Sequence, residues 1–232
     1  MALLRALSQP PARHALWLTL WTAAVMSAIN AVMGLLTAYV LVRYNFPGRM
    51  LLSAIVDLPL AVPTLVTGLM LVVLFGPQRA LGAWLNENLG WKIIFAPSGI
   101  ILALLFTTFP FVVRSVQPVL ASIGRDQEEA AATMGASPWL TFRRVTLPAL
   151  SRALLSGTLL SMARAFGEFG SIVIVSGNIP MRTQTAAVYV LGEIESDNQR
   201  GASAMSLIMI LICFTLILVV ERLQERKQPE LR

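Results

Sequence analysis

The sequence predicts an all-α protein, a polytopic membrane helical bundle that forms a single transmembrane domain over residues 1–232. Charged residues make up only 13% of the chain and hydrophobic residues 56%, whereas a soluble domain carries roughly a quarter charged residues. Several apolar stretches reach about 20 residues, the length that crosses a bilayer as a helix. The single cysteine, Cys213, lies inside one of these stretches, so we expect neither an intrachain disulfide nor a metal site.

Five apolar stretches predict five transmembrane spans, at about residues 15–42, 50–75, 98–120, 147–176 and 202–220. Pro59 and Pro63 interrupt the second span, because proline has no N–H to donate and its ring disturbs the preceding turn. Such a break is a candidate hinge for a gate, although proline kinks are also common in spans that have no gate.

The distribution of basic residues predicts the orientation of the bundle. Five spans place the two termini on opposite sides, and a polar loop at residues 126–146 separates the third span from the fourth. Nine basic residues share the side of this loop: Arg43, Arg49, Arg125, Arg143, Arg144, Arg222, Arg226, Lys227 and Arg232. Six lie on the other side: Arg5, Arg13, Arg79, Lys92, Arg182 and Arg200. By the positive-inside rule we expect a cytoplasmic loop and C-terminus and an N-terminus outside.

The polar loop is expected to form two short helices joined by a glycine turn. Asp126 can accept hydrogen bonds from the free amides of a first turn, and Glu129 completes a capping-box pattern. Gly135 suits the left-handed position that ends a helix. Ser137 can cap a second helix that has Pro138 at its first position. We expect both helices to lie across the cytoplasmic face of the membrane.

A longer pattern overlaps this loop: Glu-Ala-Ala, three residues, Gly, nine residues, a branched aliphatic residue, one residue and Leu-Pro. It falls on Glu129, Ala130, Ala131, Gly135, Val145, Leu147 and Pro148. The pattern resembles the loop that defines permease subunits of bacterial ABC importers, with Val145 where isoleucine is commonest. The resemblance implies the ABC importer type I permease fold. There the loop is a coupling helix, which sits in a cleft of the ATPase subunit and moves when ATP closes the ATPase dimer.

Four further stretches narrow the resemblance: RYNFPGR at Arg43–Arg49, DLPLAVPTLVTGL at Asp57–Leu69, FPFVVRSVQPVL at Phe109–Leu120 and ARAFGEFGSIVIVSGNIPMRTQT at Ala163–Thr185. They look like the T-type permease subunits of sulfate/thiosulfate importers. This implies translocation of sulfate or thiosulfate across the cell inner (cytoplasmic) membrane. Molybdate and tungstate permeases share similar Gly-Glu-Phe-Gly and Gly-Asn-Ile-Pro regions and are the alternative. Sulfate permeases usually carry an additional N-terminal span, and the length of this chain is nearer that of the molybdate type.

The resemblance also implies partners and cofactors. Two ABC ATPase subunits would bind ATP and Mg, since this chain has no G-x-x-x-x-G-K-[ST] phosphate loop and no cofactor of its own is expected. A second permease subunit, a related W-type chain, would complete the pathway. A periplasmic or extracellular sulfate-binding protein would deliver the anion. The net charge of +6 is explained by cytoplasmic loops and membrane lipid rather than by nucleic acid.

Polar residues in and after the fourth span are candidates for the translocation pathway. Arg164 and Glu168 lie four residues apart, on one predicted helix face, and either line the pathway or form a buried structural ion pair. The other candidates are Ser176, Asn178, Arg182 and Thr183. They follow on the outer side and either donate hydrogen bonds to an oxyanion or form an ordinary loop.

Two further features concern the second and third spans. Arg114 is expected to pair with Asp57 or to extend its charge to the lipid headgroups. The loop between these spans has Leu81, Trp84, Leu85 and Leu89 at helical spacing. This spacing predicts a short helix that lies in the membrane interface.

The sequence fits two other classes of membrane protein poorly, intramembrane hydrolases and secondary anion transporters. An intramembrane hydrolase needs a nucleophile with a base, or a metal site, but the only histidine is His14 and the chain has no H-E-x-x-H motif. We therefore expect no catalytic residues and no enzyme activity in this chain. A secondary anion transporter, driven by an ion gradient, would leave the Glu-Ala-Ala pattern unexplained.

Overall fold

The computed structural model describes residues 9–225, and every regular element in this range is a helix. In chain order the helices are α1 (Pro10–Arg43), α2 (Arg49–Ala61), α3 (Thr64–Phe75), α4 (Ala80–Leu89), α5 (Pro97–Ile123), α6 (Asp126–Thr133), α7 (Pro138–Thr141), α8 (Leu147–Phe166), α9 (Gly170–Ser176), α10 (Ala186–Glu195) and α11 (Gln199–Glu225). A π-helical turn, Phe142–Thr146, joins α7 to α8. The predicted all-α architecture is confirmed. Outside the described residues lie Arg5, Arg226, Lys227 and Arg232, which contributed to the predicted orientation.

Within residues 9–225, four helices are long and apolar enough to cross a membrane: Pro10–Arg43, Pro97–Ile123, Pro138–Phe166 and Gln199–Gln224. A fifth span exists only if α2 and α3 are counted together as one broken span. The prediction of about five spans therefore depends on how this pair crosses the membrane.

The second predicted span is two short helices rather than one kinked helix. The direction of the chain changes by 112° between α2 and α3, and the break falls at Val62 and Pro63. A proline disfavours helical backbone in the residue before it, and Val62 is accordingly extended, with a ψ of 128°. Pro59 lies inside α2. Of the two prolines that were expected to interrupt the span, only Pro63 therefore lies at the break.

The fourth predicted span, residues 147–176, is also discontinuous. Helix α8 ends at Phe166, the next three residues are not helical, and α9 begins at Gly170. Glu168 lies inside this break. The expectation that Arg164 and Glu168 share one helix face was therefore wrong.

This long helix also begins earlier than predicted, because α7, the π-helical turn and α8 follow one another without a break. Pro148 has no N–H to donate to the carbonyl four residues earlier. The turn before it is wider, and the Leu147 N–H donates to the Phe142 carbonyl five residues back. The second helix of the polar loop is thus the first part of the helix Pro138–Phe166, and the prediction of a separate surface helix was wrong.

Helices α1, α5 and α8 form the centre of the bundle and pack closely because glycines lie where they cross. A Cβ atom added to Gly34 of α1 would lie 2.7 Å from Cγ1 of Val112 in α5. One added to Gly157 of α8 would lie 2.8 Å from Cβ of Ser115 in α5. Between helices in lipid, association depends on van der Waals contact, which close backbone approach increases. These two glycines therefore set the spacing of the central helices.

Two polar side chains between α1 and α5 are hydrogen-bonded inside the bundle. Asn30 Nδ2 of α1 donates to Thr108 Oγ1 of α5 at 2.9 Å, and Thr108 Oγ1 donates to the Leu104 carbonyl at 2.7 Å. No water is available in the hydrocarbon to replace such bonds, so an unpaired group there is costly. This hydrogen bond between Asn30 and Thr108 fixes the position of α1 along the axis of α5.

The two ends of the bundle differ in what they carry. The loop end contains residues 124–146 and the C-terminus of α1. The far end contains α4, α9, α10 and the loops at residues 90–96 and 177–185. The two far-end loops meet through α9, because the Phe95 N–H donates to the Val175 carbonyl at 2.9 Å. Helix α4 is the predicted short helix between the second and third spans.

Substituting Gly157 by alanine should destabilise the bundle. The added methyl group would meet Ser115 and the backbone of Val112, and such overpacking costs about 1–3 kcal/mol. Gly192→Ala is the matched control, since Gly192 is also helical and a Cβ there meets only Gln184 Nε2, at 3.6 Å. Helix propensity favours alanine at both positions. Thermal unfolding in detergent measures both variants, and a Gly157→Ala protein as stable as wild type would contradict the packing described.

Candidate functional site

Helix α6, the first helix of the polar loop, ends in the glycine turn that the sequence predicted. Gly135 has a φ of +84°. Its N–H donates to the Ala132 carbonyl at 2.9 Å, and the Ala136 N–H donates to the Ala131 carbonyl at 3.0 Å. These two bonds form a Schellman motif. A Cβ at position 135 would meet nothing within 4 Å, so backbone conformation, and not space, restricts this position to glycine.

The start of α6 differs from the predicted capping box. Arg125 is the N-cap residue, has a helical backbone and makes no side-chain cap hydrogen bond. Asp126 is the first helical residue and shares the first turn with Glu128 and Glu129. Carboxylates in a first turn interact favourably with the helix dipole. The acidic residues therefore stabilise α6 through charge rather than through the predicted hydrogen bonds.

A buried arginine ties α6 to the end of α1. Arg43 is the last residue of α1 and is only 9% exposed. Its Nη2 donates to the Gly124 carbonyl at 2.6 Å and to Glu128 Oε1 at 3.0 Å. The same carboxylate oxygen accepts from Thr146 Oγ1 at 2.8 Å. Glu128 thus joins α6 both to the end of α1 and to the turn that leads into α8; we call these three residues the Arg43–Glu128–Thr146 cluster.

A second arginine strengthens this junction. The Arg125 guanidinium donates to the Arg43 carbonyl, and carbonyls in the last turn of a helix have no partner within the helix. Neither Arg43 nor Glu128 is among the functional residues predicted from the sequence. The signal that could have found them is that a basic residue ends the first span and an acidic residue lies in the polar loop on the same predicted side.

The residues of the Glu-Ala-Ala pattern are distributed between surface and interior. Exposed are Glu129, Ala130, Gly135 and Pro148; half-buried are Val145 and Leu147; buried is Ala131. Two large apolar side chains of the same segment, Met134 and Trp139, are 83% and 69% exposed. Large exposed apolar side chains beside polar groups are typical of a protein docking surface.

Helix α7 begins as predicted and carries an aromatic contact back to α1. Ser137 Oγ accepts from a first-turn N–H at 3.3 Å, and Pro138 is the first helical residue. The ring of Trp139 stacks on Phe142 at 5.8 Å, and Phe142 meets Tyr39 of α1 edge-on at 5.6 Å. The exposed surface of the polar loop is therefore in contact with α1 through aromatic rings as well as through Glu128.

The breaks in the two discontinuous spans lie side by side. A Cβ atom added to Gly170, at the start of α9, would lie 2.2 Å from Thr64 Oγ1, at the start of α3. One added to Gly68 would lie 2.8 Å from the Ser171 carbonyl. Non-helical backbone at membrane depth is tolerated only where protein buries it or where it lines a water-filled cavity. Here each break is covered in part by the other.

The predicted ion pair between Arg164 and Glu168 is present. Arg164 Nη1 lies 3.0 Å from Glu168 Oε2. The second carboxylate oxygen, Oε1, accepts from the N–H of Ser171 at 3.1 Å and from its Oγ at 2.9 Å. The Glu168 side chain is 1% exposed and that of Arg164 is 37% exposed. The carboxylate therefore holds the start of α9 to the end of α8, while part of the guanidinium faces open space.

The predicted pairing of Arg114 with Asp57 is also present. Arg114 Nε donates to Asp57 Oδ1 at 2.7 Å, and its Nη2 donates to the other carboxylate oxygen and, at 2.9 Å, to Ser53 Oγ. Two parallel bonds of this kind fix both position and orientation. The pair links α2 to α5, and both of its side chains are more than a third exposed.

At the far end the four remaining candidate residues have different environments. Ser176 and Thr183 are buried, and Thr183 Oγ1 donates to the Ser176 carbonyl at 2.6 Å. Asn178 Oδ1 accepts from Gln184 Nε2 at 2.8 Å. Arg182 is exposed and lines a cavity. Arg182 is therefore the one charged and exposed residue of the four, while Ser176 and Thr183 stabilise the loop through their hydrogen bond.

The arrangement offers non-covalent chemistry. No group of three or more His, Cys, Asp or Glu side chains within residues 9–225 is placed to hold a metal ion. Beside the break after α8, Glu168 pairs with Arg164, whose side chain is 37% exposed.

Comparison with known proteins gives consistent results. A family model described as binding-protein-dependent transport system inner membrane component matches residues 30–232. The chain is 46% identical over 215 residues to the probable sulfate transport system permease protein cysT of Nephroselmis olivacea, covering 93% of this chain and 75% of the relative. It is 41% identical to the sulfate transport system permease protein CysT of Escherichia coli (strain K12), covering 95% and 79%. It is 39% identical to CysW of the same organism, covering 99% and 81%.

A solved structure has the same fold. The bacterial alginate ABC transporter, in complex with an alginate pentasaccharide-bound periplasmic protein, contains a chain that superposes with a TM-score of 0.76. The match covers 96% of this chain and 81% of the other at 16% identity.

A double-mutant cycle tests the Arg164–Glu168 pair. Arg164→Gln alone leaves a buried carboxylate without its counter-charge, so it should destabilise more than Glu168→Gln, which leaves a partly hydrated arginine. The double variant should recover about 1–2 kcal/mol relative to the sum of the two single changes. Unfolding in detergent measures all three variants, and strictly additive losses would mean that the two side chains do not interact.

Proposed function

Since this chain belongs to the family of binding-protein-dependent transport system inner membrane components, we propose that it is the permease subunit of an ATP-driven ABC importer for sulfate or thiosulfate. The observation that carries the proposal is its identity of 39–46% to sulfate transport system permease proteins over more than nine-tenths of the chain. The Glu-Ala-Ala pattern supports the same mechanism independently of substrate, because its exposed residues form a polar and apolar surface suited to docking a partner.

The partners follow from this role. Two ABC ATPase subunits bind ATP and Mg and engage the polar loop, and a periplasmic or extracellular binding protein delivers the anion at the far end. A second permease, a related W-type chain, completes the pathway; the similarity of this chain to both CysT and CysW supports a pair of related permeases. The loop end is cytoplasmic in this arrangement, and the nine basic residues of the sequence on that side, against six on the other, support this side by the positive-inside rule.

The polar loop is the segment of the permease that the ATPase subunits bind and move. Glu129, Ala130 and Gly135 lie on the exposed surface that the ATPase would grip. Val145, Leu147 and Pro148 lead from this surface into the long helix of α8. The Arg43–Glu128–Thr146 cluster transmits movement of the polar loop to α1 and α8 together, because Glu128 accepts hydrogen bonds from Arg43 at the end of α1 and from Thr146 just before α8.

The translocation pathway follows the two helix breaks. Arg164 presents a partly exposed positive charge near the break between α8 and α9, and Glu168 neutralises it enough to keep anion binding weak. Weak binding is what transport requires, because a tight site midway would slow release. Ser176, Asn178 and Thr183 shape the loop at the entrance, where Arg182 attracts the anion. Pro63, at the break before α3, is the hinge, and Pro59 removes one backbone hydrogen bond within α2.

Uptake of labelled sulfate tests the proposal. Proteoliposomes containing the assembled importer, with binding protein outside, should accumulate sulfate when ATP is present inside and should fail to do so with a proton gradient alone. Excess unlabelled sulfate or thiosulfate should compete, and molybdate or tungstate should compete weakly. Uptake driven by the proton gradient alone would contradict the role of an ABC permease. Stronger competition by molybdate than by unlabelled sulfate would mean that the substrate is molybdate or tungstate.

Gly135→Val should abolish ATP-driven uptake without unfolding the bundle. A β-branched residue disfavours the left-handed backbone that Gly135 adopts, by about 1–2 kcal/mol, so the turn between α6 and α7 should rearrange. Gly90→Val is the control, because Gly90 also has a positive φ and open space around it but ends α4 at the far end. Uptake and co-purification of the ATPase subunits are measured for both. Equal uptake by the two variants would be incompatible with a coupling role.

Glu128→Gln should uncouple ATP hydrolysis from transport. It removes the negative charge that holds Arg43 and so weakens the junction by about 1–3 kcal/mol, while leaving the exposed docking surface intact. Asp126→Asn is the control, since it removes a carboxylate from the same turn without touching Arg43. In Glu128→Gln the number of ATP molecules hydrolysed per sulfate transported should rise at least severalfold, the change that corresponds to a loss of about 1–3 kcal/mol. In Asp126→Asn this ratio should stay unchanged. An unchanged ratio in Glu128→Gln would show that the cluster does not transmit movement.

A further inference from the structure

A cavity of about 620 Å³ opens at the far end of the bundle. It lies between α4 and the two loops that meet there, at residues 90–96 and 177–185. Its walls are largely apolar and include Phe75, Pro97 and Ile179. This space is larger than a single sulfate ion needs.

Two basic residues line the same cavity. Lys92 and Arg182 are both exposed, and no described residue forms an ion pair with either of them. Two positive charges beside one cavity, with no ion-pair partner among residues 9–225, produce a local positive potential that attracts an anion. The cavity therefore combines an apolar interior with positive charge.

The loops that border the cavity hold strained backbone. Phe95, Asn178 and Met181 have φ values of 60°, 50° and 60°, which non-glycine residues seldom adopt. Strain of this kind persists where the surrounding structure fixes the chain, and it is concentrated at binding sites. Here the Phe95 N–H is fixed by the Val175 carbonyl. This bond fixes the loop at residues 90–96 to α9.

The position of the cavity along the bundle matches the headgroup region of a membrane. It lies where the apolar helix α3 ends, at Phe75, and where α5 begins, at Pro97. On and just after the adjoining α4, Trp84 and Trp91 are 54% and 66% exposed. Exposed tryptophans are typical of the boundary between hydrocarbon and water, and a short helix with exposed apolar side chains suits the same plane.

We propose that this cavity binds an anionic phospholipid, with its phosphate held by Lys92 and Arg182 and the apolar part of the molecule against Phe75, Pro97 and Ile179. An amphiphile matches both halves of the site. A free oxyanion carries the same phosphate-like chemistry, but apolar walls would remove its hydration without replacing the hydrogen bonds. The cavity therefore shares Arg182 and Thr183 with the proposed entrance for the transported anion, but its apolar walls fit a lipid rather than a free ion.

Native mass spectrometry of the assembled importer, released from nanodiscs of phosphatidylcholine and phosphatidylglycerol, tests the proposal. Wild type should retain phosphatidylglycerol in preference to phosphatidylcholine. The variant Lys92→Gln with Arg182→Gln should retain it about 30-fold less well, the loss expected from two basic residues near a membrane surface. Asn86→Trp, which places a bulky side chain at the lining of the cavity and keeps both charges, should also reduce retention.

The control is Arg13→Gln with Arg200→Gln, which removes two exposed basic residues of the far end that do not line the cavity. It should retain the lipid as wild type does. An equal loss of lipid retention in this control would show that retention depends on the total surface charge and not on the cavity, and would overturn the proposal. Displacement of the lipid by free inorganic phosphate or sulfate at millimolar concentration would overturn it in favour of a site for soluble oxyanions. Thermal unfolding confirms that each variant is folded, and equal retention of both lipids by wild type would also contradict the assignment.

Discussion

The ion pair between Arg43 and Glu128 fixes α6, a segment that is neither apolar nor long enough to be stable alone. Helix α6 has 8 residues, and isolated helices of that length are marginal in water. It has no side-chain cap at its start, so its position depends on Glu128, which is bonded to the end of α1 and to Thr146 before α8. Because α1 and α8 both pack against α5 through glycines, a displacement of α6 reaches the centre of the bundle through two helices at once.

A second constraint comes from the membrane itself. Backbone groups released by a helix break must be satisfied inside the protein, and the two breaks of this bundle lie against each other, with Gly170 beside Thr64. Glu168 completes the arrangement by accepting two hydrogen bonds from Ser171 and pairing with Arg164. The same arrangement gives the bundle a place that is both discontinuous and charged, which is where a pathway for an anion is expected in transport proteins.

Local rules predicted the parts of this structure that depend on local chemistry. The lengths of the apolar stretches indicated the class, the need for a left-handed residue indicated the turn at Gly135, and the shortage of partners for charge in a membrane indicated the Asp57–Arg114 pair. Parts that depend on tertiary contact were missed. Arg43 and Glu128 are 85 residues apart, and the apolar pattern runs through the break after Phe166, where Gly167, Glu168 and Gly170 are the marks in the sequence. The continuation of α7 into α8 was missed because Pro148 was taken to begin a helix, whereas the π-helical turn before it accommodates the missing N–H.

Pulsed electron paramagnetic resonance on the assembled importer tests most directly whether α6 and the end of α1 move as one unit. Spin labels are placed at Asn45→Cys and Gln127→Cys, two exposed positions on either side of the Arg43–Glu128 pair, with Cys213, the only native cysteine of this chain, changed to serine. The other subunits must lack reactive cysteines. The distance between the labels should show one narrow distribution that is the same in the nucleotide-free and vanadate-trapped states. A shift or a second distance on trapping would show that the ATPase moves α6 independently of α1 and would contradict this account of coupling.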